Sequence, residues 1–264
     1  MRKGFTLVEL AIVLIIIGIL IAGILVARSM ISTANVTKTI SQLDQFDAGV
    51  ANFQTKYNSL PGDSVRFVGD GDGMIEVGST PTSIPDSTDV FICEVANFWS
   101  NIMPDQYASS PCDIGADIAP VINGANKNVP VAKLGTPNAF FTAGTLGTGG
   151  GVAALPARNV YAILHSTQAQ ATTGGWHTYN PTTATTSAVR AIELQALDTK
   201  TDDGFANSGN VFGGSIVDEG GGYADLTGVE MTGCSAGAEY TVSGTDYICT
   251  PIILVGSRTG LVRQ

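Results

Sequence analysis

From Leu10 to Ala27 this chain has no ionisable side chain: LAIVLIIIGILIAGILVA. A run of roughly 18 apolar residues is long enough for a helix to cross the hydrocarbon of a bilayer. Arg2 and Lys3 precede it, followed by Gly4, and from Phe5 to Ala27 the only ionisable group is Glu9. A carboxylate near the start of an apolar span is costly, and such groups are usually functional. Two plainer readings compete. A secretory signal has an apolar stretch of about 7–15 residues and then a small-residue cleavage site. Ala22 or Ala27 would serve as that site, but this run is longer and continues unbroken into a helical pattern. A simple single-pass anchor explains the length and leaves Glu9 unexplained.

The segment Gly4-Phe5-Thr6-Leu7-Val8-Glu9, behind a basic leader and ahead of an unbroken apolar helix, resembles the prepilin processing motif of type IV pilins and type II secretion pseudopilins. The resemblance is specific over about residues 1–26 and looser to about Asp63. It implies that a prepilin peptidase cuts between Gly4 and Phe5 and methylates the new amino terminus of Phe5. It implies that the apolar helix is kept as the packed centre of a filament. Glu9 then pairs with the terminal amine of a neighbouring subunit and sets the axial register. The implied partners are copies of the chain, other pilin-like subunits, the peptidase and an inner-membrane assembly platform. The implied location is the inner membrane, as a single-pass precursor with its head in the periplasm, and then a periplasmic or extracellular filament. Helices of this family often carry a proline late in the apolar run. Here Gly18 and Gly23 stand instead, and at about 1 kcal/mol each against alanine they are the weakest points.

Beyond the apolar run the larger apolar residues fall at Val36, Ile40, Leu43, Phe46, Val50, Phe53 and Tyr57. Steps of three and four put them on one helical face. Leu60-Pro61-Gly62-Asp63 ends the pattern. One helix over residues 5–59 would be roughly 80 Å long. The expected organisation is a leader at 1–4, that helix, and a β-rich head over 60–264, an α+β fold. Short apolar runs predict strands at Val65–Val68, Val121–Ile122, Val160–Leu164, Val189–Leu197, Tyr240–Val242 and Pro251–Val255. A second helix is expected near Asp89–Met103. The Thr-, Ala- and Gly-rich stretches Thr142–Val152 and Thr167–Val189 read as long exposed loops.

The chain has 13 basic and 23 acidic residues, a net charge of −10, and 32 glycines. Three of the basic residues, Arg2, Lys3 and Arg28, lie in the first thirty positions, so the head is more acidic than the average. An acidic head argues against sequence-independent nucleic-acid binding, which needs clustered Lys and Arg. Cys93, Cys112, Cys234 and Cys249 form no C-x-x-C pair. An even count in an exported chain favours disulfides. Of the three pairings, Cys93 with Cys112 and Cys234 with Cys249 closes short local loops and is preferred, and four free buried thiols is the alternative.

Two acidic clusters stand out: Asp70-Gly71-Asp72-Gly73-Met74-Ile75-Glu76, with Asp63 upstream, and Asp198-Thr199-Lys200-Thr201-Asp202-Asp203-Gly204. Carboxylates on a Gly-rich turn can converge on a hard cation. Neither segment fits an EF-hand, and Asp and Gly are also ordinary turn residues. The expectation is no cofactor except a structural calcium, with Asp70, Asp72 and Asp202 as ligands. No H-E-x-x-H or P-loop is present. Gly149 to Ala154 matches G-x-G-x-x-A without the strand and helix that would give it meaning. The chain is not expected to be an enzyme. Two function classes stand: a structural filament subunit, or a minor tip subunit whose Thr/Gly-rich loops act as an adhesin or substrate-binding module. Copy number separates them, since a shaft subunit dominates sheared filaments.

Overall fold

The computed structural model describes residues 7–67, 69–75, 93–109, 121–146, 158–165, 170–172, 175–177, 188–214, 234–236, 238–242 and 247–256. Helix α1 runs without a break over Leu7–Tyr57, 51 residues, about 77 Å at 1.5 Å per residue. It passes through both glycines of the apolar run. Hydroxyls on its polar stretch turn back onto the helix. Ser29 donates to the Val26 carbonyl, Thr33 to Ser29, Thr37 to Thr33 and Thr55 to Ala51, at 2.8–3.1 Å. The helix stops where Asn58 takes a φ of 53° and Pro61-Gly62 turn the chain away.

The second half of α1 lies on the head. Val36, Leu43, Phe46, Val50 and Phe53 of the stripe are buried, as the periodicity predicts. Phe46 is the centre of that contact, with ring centroids 4.7 Å from Trp99, 5.1 Å from Phe141 and 5.9 Å from Tyr161. Polar groups share the same face. Gln42 brackets a passing segment, its amide donating to the Val131 carbonyl at 2.9 Å and accepting from the Lys133 N–H at 3.1 Å. Asp47 is 1% exposed. It accepts from the Tyr161 hydroxyl at 3.0 Å and the Gly256 N–H at 2.9 Å.

Helix α2 spans Cys93–Ile102. The sheet follows: β1 (Ala139–Leu146) and β2 (Arg158–His165) pair antiparallel along their full length. A small hairpin comes next, β3 (Gln170–Thr172) with β4 (Gly175–His177). β5 is Val189–Arg190, and α3 runs directly from it over Ala191–Thr201. β6 is Val211–Gly214; β7 (Ser235–Ala236) and β8 (Glu239–Tyr240) make a second hairpin. β9, Tyr247–Leu254, is the hub: it pairs antiparallel with β2, β5 and β6, giving the order β1-β2-β9-β5 with β6 also on β9. Tyr161, Val211 and Ile253 face the core with α1. Val160, Phe212, Ile252 and Leu254 make a separate cluster on the other face, as the two-residue repeat of a strand requires.

The fold class is α+β as expected, but several local readings are corrected. Val65–Phe67 is a 3-10 turn, not a strand. Val121 and Ile122 belong to no strand. Only Val189 and Arg190 of the 189–197 run are extended, because Ala191, Leu194 and Leu197 repeat at helical spacing and all three are buried. Glu193 supports that start, accepting from the Arg190 N–H at 3.4 Å and pairing with its guanidinium. The stretch read as an exposed loop from Thr142 begins inside β1, where Thr142 and Ala143 are buried. β3 and β4 lie within the second stretch read as a loop. Cys234 and Cys249 are bonded, with Cα atoms 5.2 Å apart, as preferred. Cys93 is also disulfide-bonded; Cys112 lies outside the described residues.

Candidate functional site

Two features of the chain call for a function. The first is the free half of α1. Large apolar side chains from Leu7 to Ile31 are all exposed, Leu7 by 87% and even the least, Ile17, by 45%. The helix docks on the head only from Val36 onward. A continuous apolar surface of this kind marks a membrane or protein contact. Helix α1 is long and apolar enough to cross a bilayer, and its most apolar stretch has no burial within the subunit. Glu9 sits in the first turn of the helix and is exposed. Gly4 and Phe5, the expected processing residues, lie outside the described residues. Gly18 and Gly23 have nothing within 4 Å of the position a side chain would take. They leave shallow notches on the helix where another helix can approach closely.

The second feature is a pair of carboxylate clusters in the head. In one, an oxygen from each of Asp63, Asp70 and Glu94 lies within 4.8 Å of the others. Asp63 follows the Leu60-Pro61-Gly62 turn that ends α1, Asp70 is on the exposed loop, and Glu94 is in the first turn of α2. Asp63 is 2% exposed and Glu94 4%. The loop is pinned by its own acids. Glu94 accepts from the Asp70 N–H at 2.9 Å, Asp63 Oδ2 from Gly73 at 3.2 Å, Asp70 from Asp72 at 3.1 Å and Asp72 from Met74 at 2.8 Å. The backbone is wrapped tightly around Asp63. A Cβ on Gly69 would lie 2.1 Å from the Asp63 carbonyl carbon, and one on Gly62, at φ 86°, 2.5 Å from the Glu94 carbonyl oxygen. Burial pushes the Asp63 carboxyl above its ordinary range. The Gly73 and Gly71 amides oppose that shift, and the charges of Asp72 and Asp70 reinforce it.

The other cluster is Asp198, Asp202 and Asp203, at the end of α3. Every one of its carboxylate oxygens has a donor. Asp198 accepts from the Gly204 N–H at 3.1 Å and the Tyr240 hydroxyl at 2.8 Å. Asp202 accepts from the Asn210 side chain at 3.3 Å, from the Val211 N–H at 3.2 Å and from the Asn210 N–H. Asp203 accepts from Phe205 at 2.9 Å and Ser208 at 2.6 Å. Burial raises Asp198 to about 6, and burial with the Asp198 charge beside it raises Tyr240 well above the usual phenol range.

The structure therefore divides the ligand set expected from the sequence. Asp70 belongs to the first cluster and Asp202 to the second, while Asp72 flanks the first without joining it. Carboxylates on Gly-rich turns suggested one set, but the two acidic segments are anchored to different helices. The spacing argument missed Glu94 entirely. The available signal was a carboxylate beside Cys93, on the helix whose other members, Val95, Phe98 and Trp99, are core residues.

Residues 1–25 match the family model described as the prokaryotic N-terminal methylation motif. Neither a curated protein nor a solved structure gives a significant match to the chain.

Proposed function

We propose that this chain, which carries at residues 1–25 the signature of type IV pilins and pseudopilins, is a structural subunit that polymerises through its N-terminal helix. The observation that carries this reading is the division of α1: its first half is bare and apolar around a single carboxylate, and its second half is fixed to the head. A bilayer covers the bare half before assembly, and neighbouring helices cover it afterwards. Cleavage between Gly4 and Phe5 puts a new amine one helical turn before Glu9. A buried carboxylate needs a partner, and the amine of the next subunit supplies one at a fixed axial step. The methyl group on Phe5 leaves that amine charged.

Arg2 and Lys3 before the span favour a cytoplasmic start and a head on the far side of the membrane. The Cys234–Cys249 disulfide agrees, since such bonds persist in oxidising compartments. Glu9 favours a place within the shaft over a tip-located binding module, because register matters where identical subunits stack.

Two measurements test the reading. Terminal sequencing of filament-associated protein should find N-methylated Phe5. An intact Met1, or a cut beyond Ala22, would overturn it. Glu9→Ala should insert into the membrane normally and fail to assemble, because breaking a buried charge pair costs about 3–5 kcal/mol per subunit. Filaments of normal number and length built from Glu9→Ala subunits alone would remove the register role.

A further inference from the structure

We propose that Asp63, Asp70 and Glu94 form a calcium site that clasps the end of the spine helix to the start of α2. The two carboxylate clusters differ in one respect that decides between structure and ligation. In the Asp198 cluster each oxygen already receives a proton donor from the protein. In the Asp63 cluster, Asp63 Oδ1 is buried and has no hydrogen-bond partner among the described residues. A buried polar atom left unsatisfied is uncommon and costly, and an ion the protein binds is one of its standard explanations. Asp63 is 98% buried, facing two further carboxylates, and neither Asp63 nor Asp70 forms an ion pair among the described residues. Three acids gathered with two of them buried is an arrangement that a cation stabilises and that water alone does not.

The donor set selects the ion. All three ligands are carboxylate oxygens, which suits a hard cation and no thiolate- or imidazole-seeking metal. Oxygens within 4.8 Å of one another leave a centre about 2.8 Å or less from each, within reach of calcium–oxygen bonds of about 2.3–2.6 Å, and two buried carboxylates with one exposed one suit calcium's flexible coordination better than the near-ideal octahedron that magnesium demands. The Asp70 face of the cluster is exposed, so water can complete the six to eight ligands calcium takes. The glycines at 62 and 69 hold the backbone too close for any side chain, and so fix Asp63 in place before the ion arrives. The ligands come from the turn after α1, the loop and α2, so the ion adds to the hydrogen bonds that already tie the loop to Asp63 and Glu94. The inference is independent of the filament reading, since it concerns the opposite end of α1 from Glu9.

The test uses the full chain in detergent micelles, stripped with chelator and dialysed against calcium chloride or magnesium chloride. Metal analysis of the gel-filtered protein should give about one calcium per chain. Melting, followed by the fluorescence of buried Trp99, should rise by about 5–10 °C at a hundredfold excess of calcium over its Kd. Asp70→Asn, a change at an exposed position, should weaken calcium binding at least tenfold without lowering the calcium-free melting temperature, since it removes a charge that repels Asp63. Asp63→Asn should abolish binding. Asp203→Asn, in the other cluster, should keep the full calcium response. No calcium bound, equal response to magnesium, or undiminished binding by Asp70→Asn would each overturn the proposal. A buried Asp63 that is merely protonated predicts the first of these.

Discussion

Replacing Asp198 by Asn should make the head more stable at neutral pH, although it alters a fully buried, doubly hydrogen-bonded side chain. Burial holds the Asp198 carboxyl at about 6 against an ordinary 3.8, with the charges of Asp203 and Asp202 adding to it and bonds from Tyr240 and Gly204 opposing it. That difference is worth up to about 3 kcal/mol against the ionised form. The sign follows from proton uptake. Between about pH 4 and 6 the native head keeps a proton that the unfolded chain has released, so stability falls as pH rises through this window. Above pH 6 the folded head carries the whole cost. Asn cannot ionise. Its oxygen can still accept from Gly204, and its amide can donate to the Tyr240 oxygen, whose hydroxyl then turns. The variant should therefore match the parent near pH 4 and exceed it by about 1–3 kcal/mol at pH 7. Urea unfolding of the full chain in micelles, followed by tryptophan fluorescence at both pH values, gives the difference directly. Other carboxyls cancel in the subtraction. Parallel pH profiles, or a variant weaker than the parent at pH 7, would refute the argument that burial dominates this site.

Phe46→Ala should cost about 3–5 kcal/mol, because it empties the ring cluster where the spine meets the head; the same urea titration measures it, and a loss under 1 kcal/mol would mean the spine is held elsewhere. Non-reducing peptide mapping should find Cys234 with Cys249 and Cys93 with Cys112. Opening the first bond, whose ends are 15 residues apart, should cost about 3 kcal/mol, and crossed pairs would contradict the local-loop argument.

The spine was legible because its signal is periodic. Val36, Leu43, Phe46, Val50 and Phe53 repeat at helical steps and are buried as that spacing demands. Thr39 and Asp47 lie on the same face and were not legible, since Asp47 takes its donors from positions 114 and 209 residues away. The 189–197 run mixes two periods, and only the packing of Leu194 and Leu197 against the core decides for helix. β1 went unread because its core positions are filled partly by Ala and Thr, which look like loop composition. The carboxylates show the same limit. Local spacing found the acidic loops, but which oxygens are buried and which are satisfied depends on where α2 and α3 bring Glu94 and Asp198.

The placement of β9 fixes the order of events in making the head. Residues 247–254 are the partner of β2, β5 and β6 at once, and the Gly256 amide just beyond completes the hydrogen bonding of Asp47 on the spine. A nascent chain that has not yet released this segment has three strands without a common neighbour. Contacts of such long sequence separation close slowly. The apolar helix, whose bonds are all local, needs none of this and can form as soon as it is made. The helix and the β1–β2 pair can therefore form before residues 247–254 are made, whereas β2, β5 and β6 are joined only once they are.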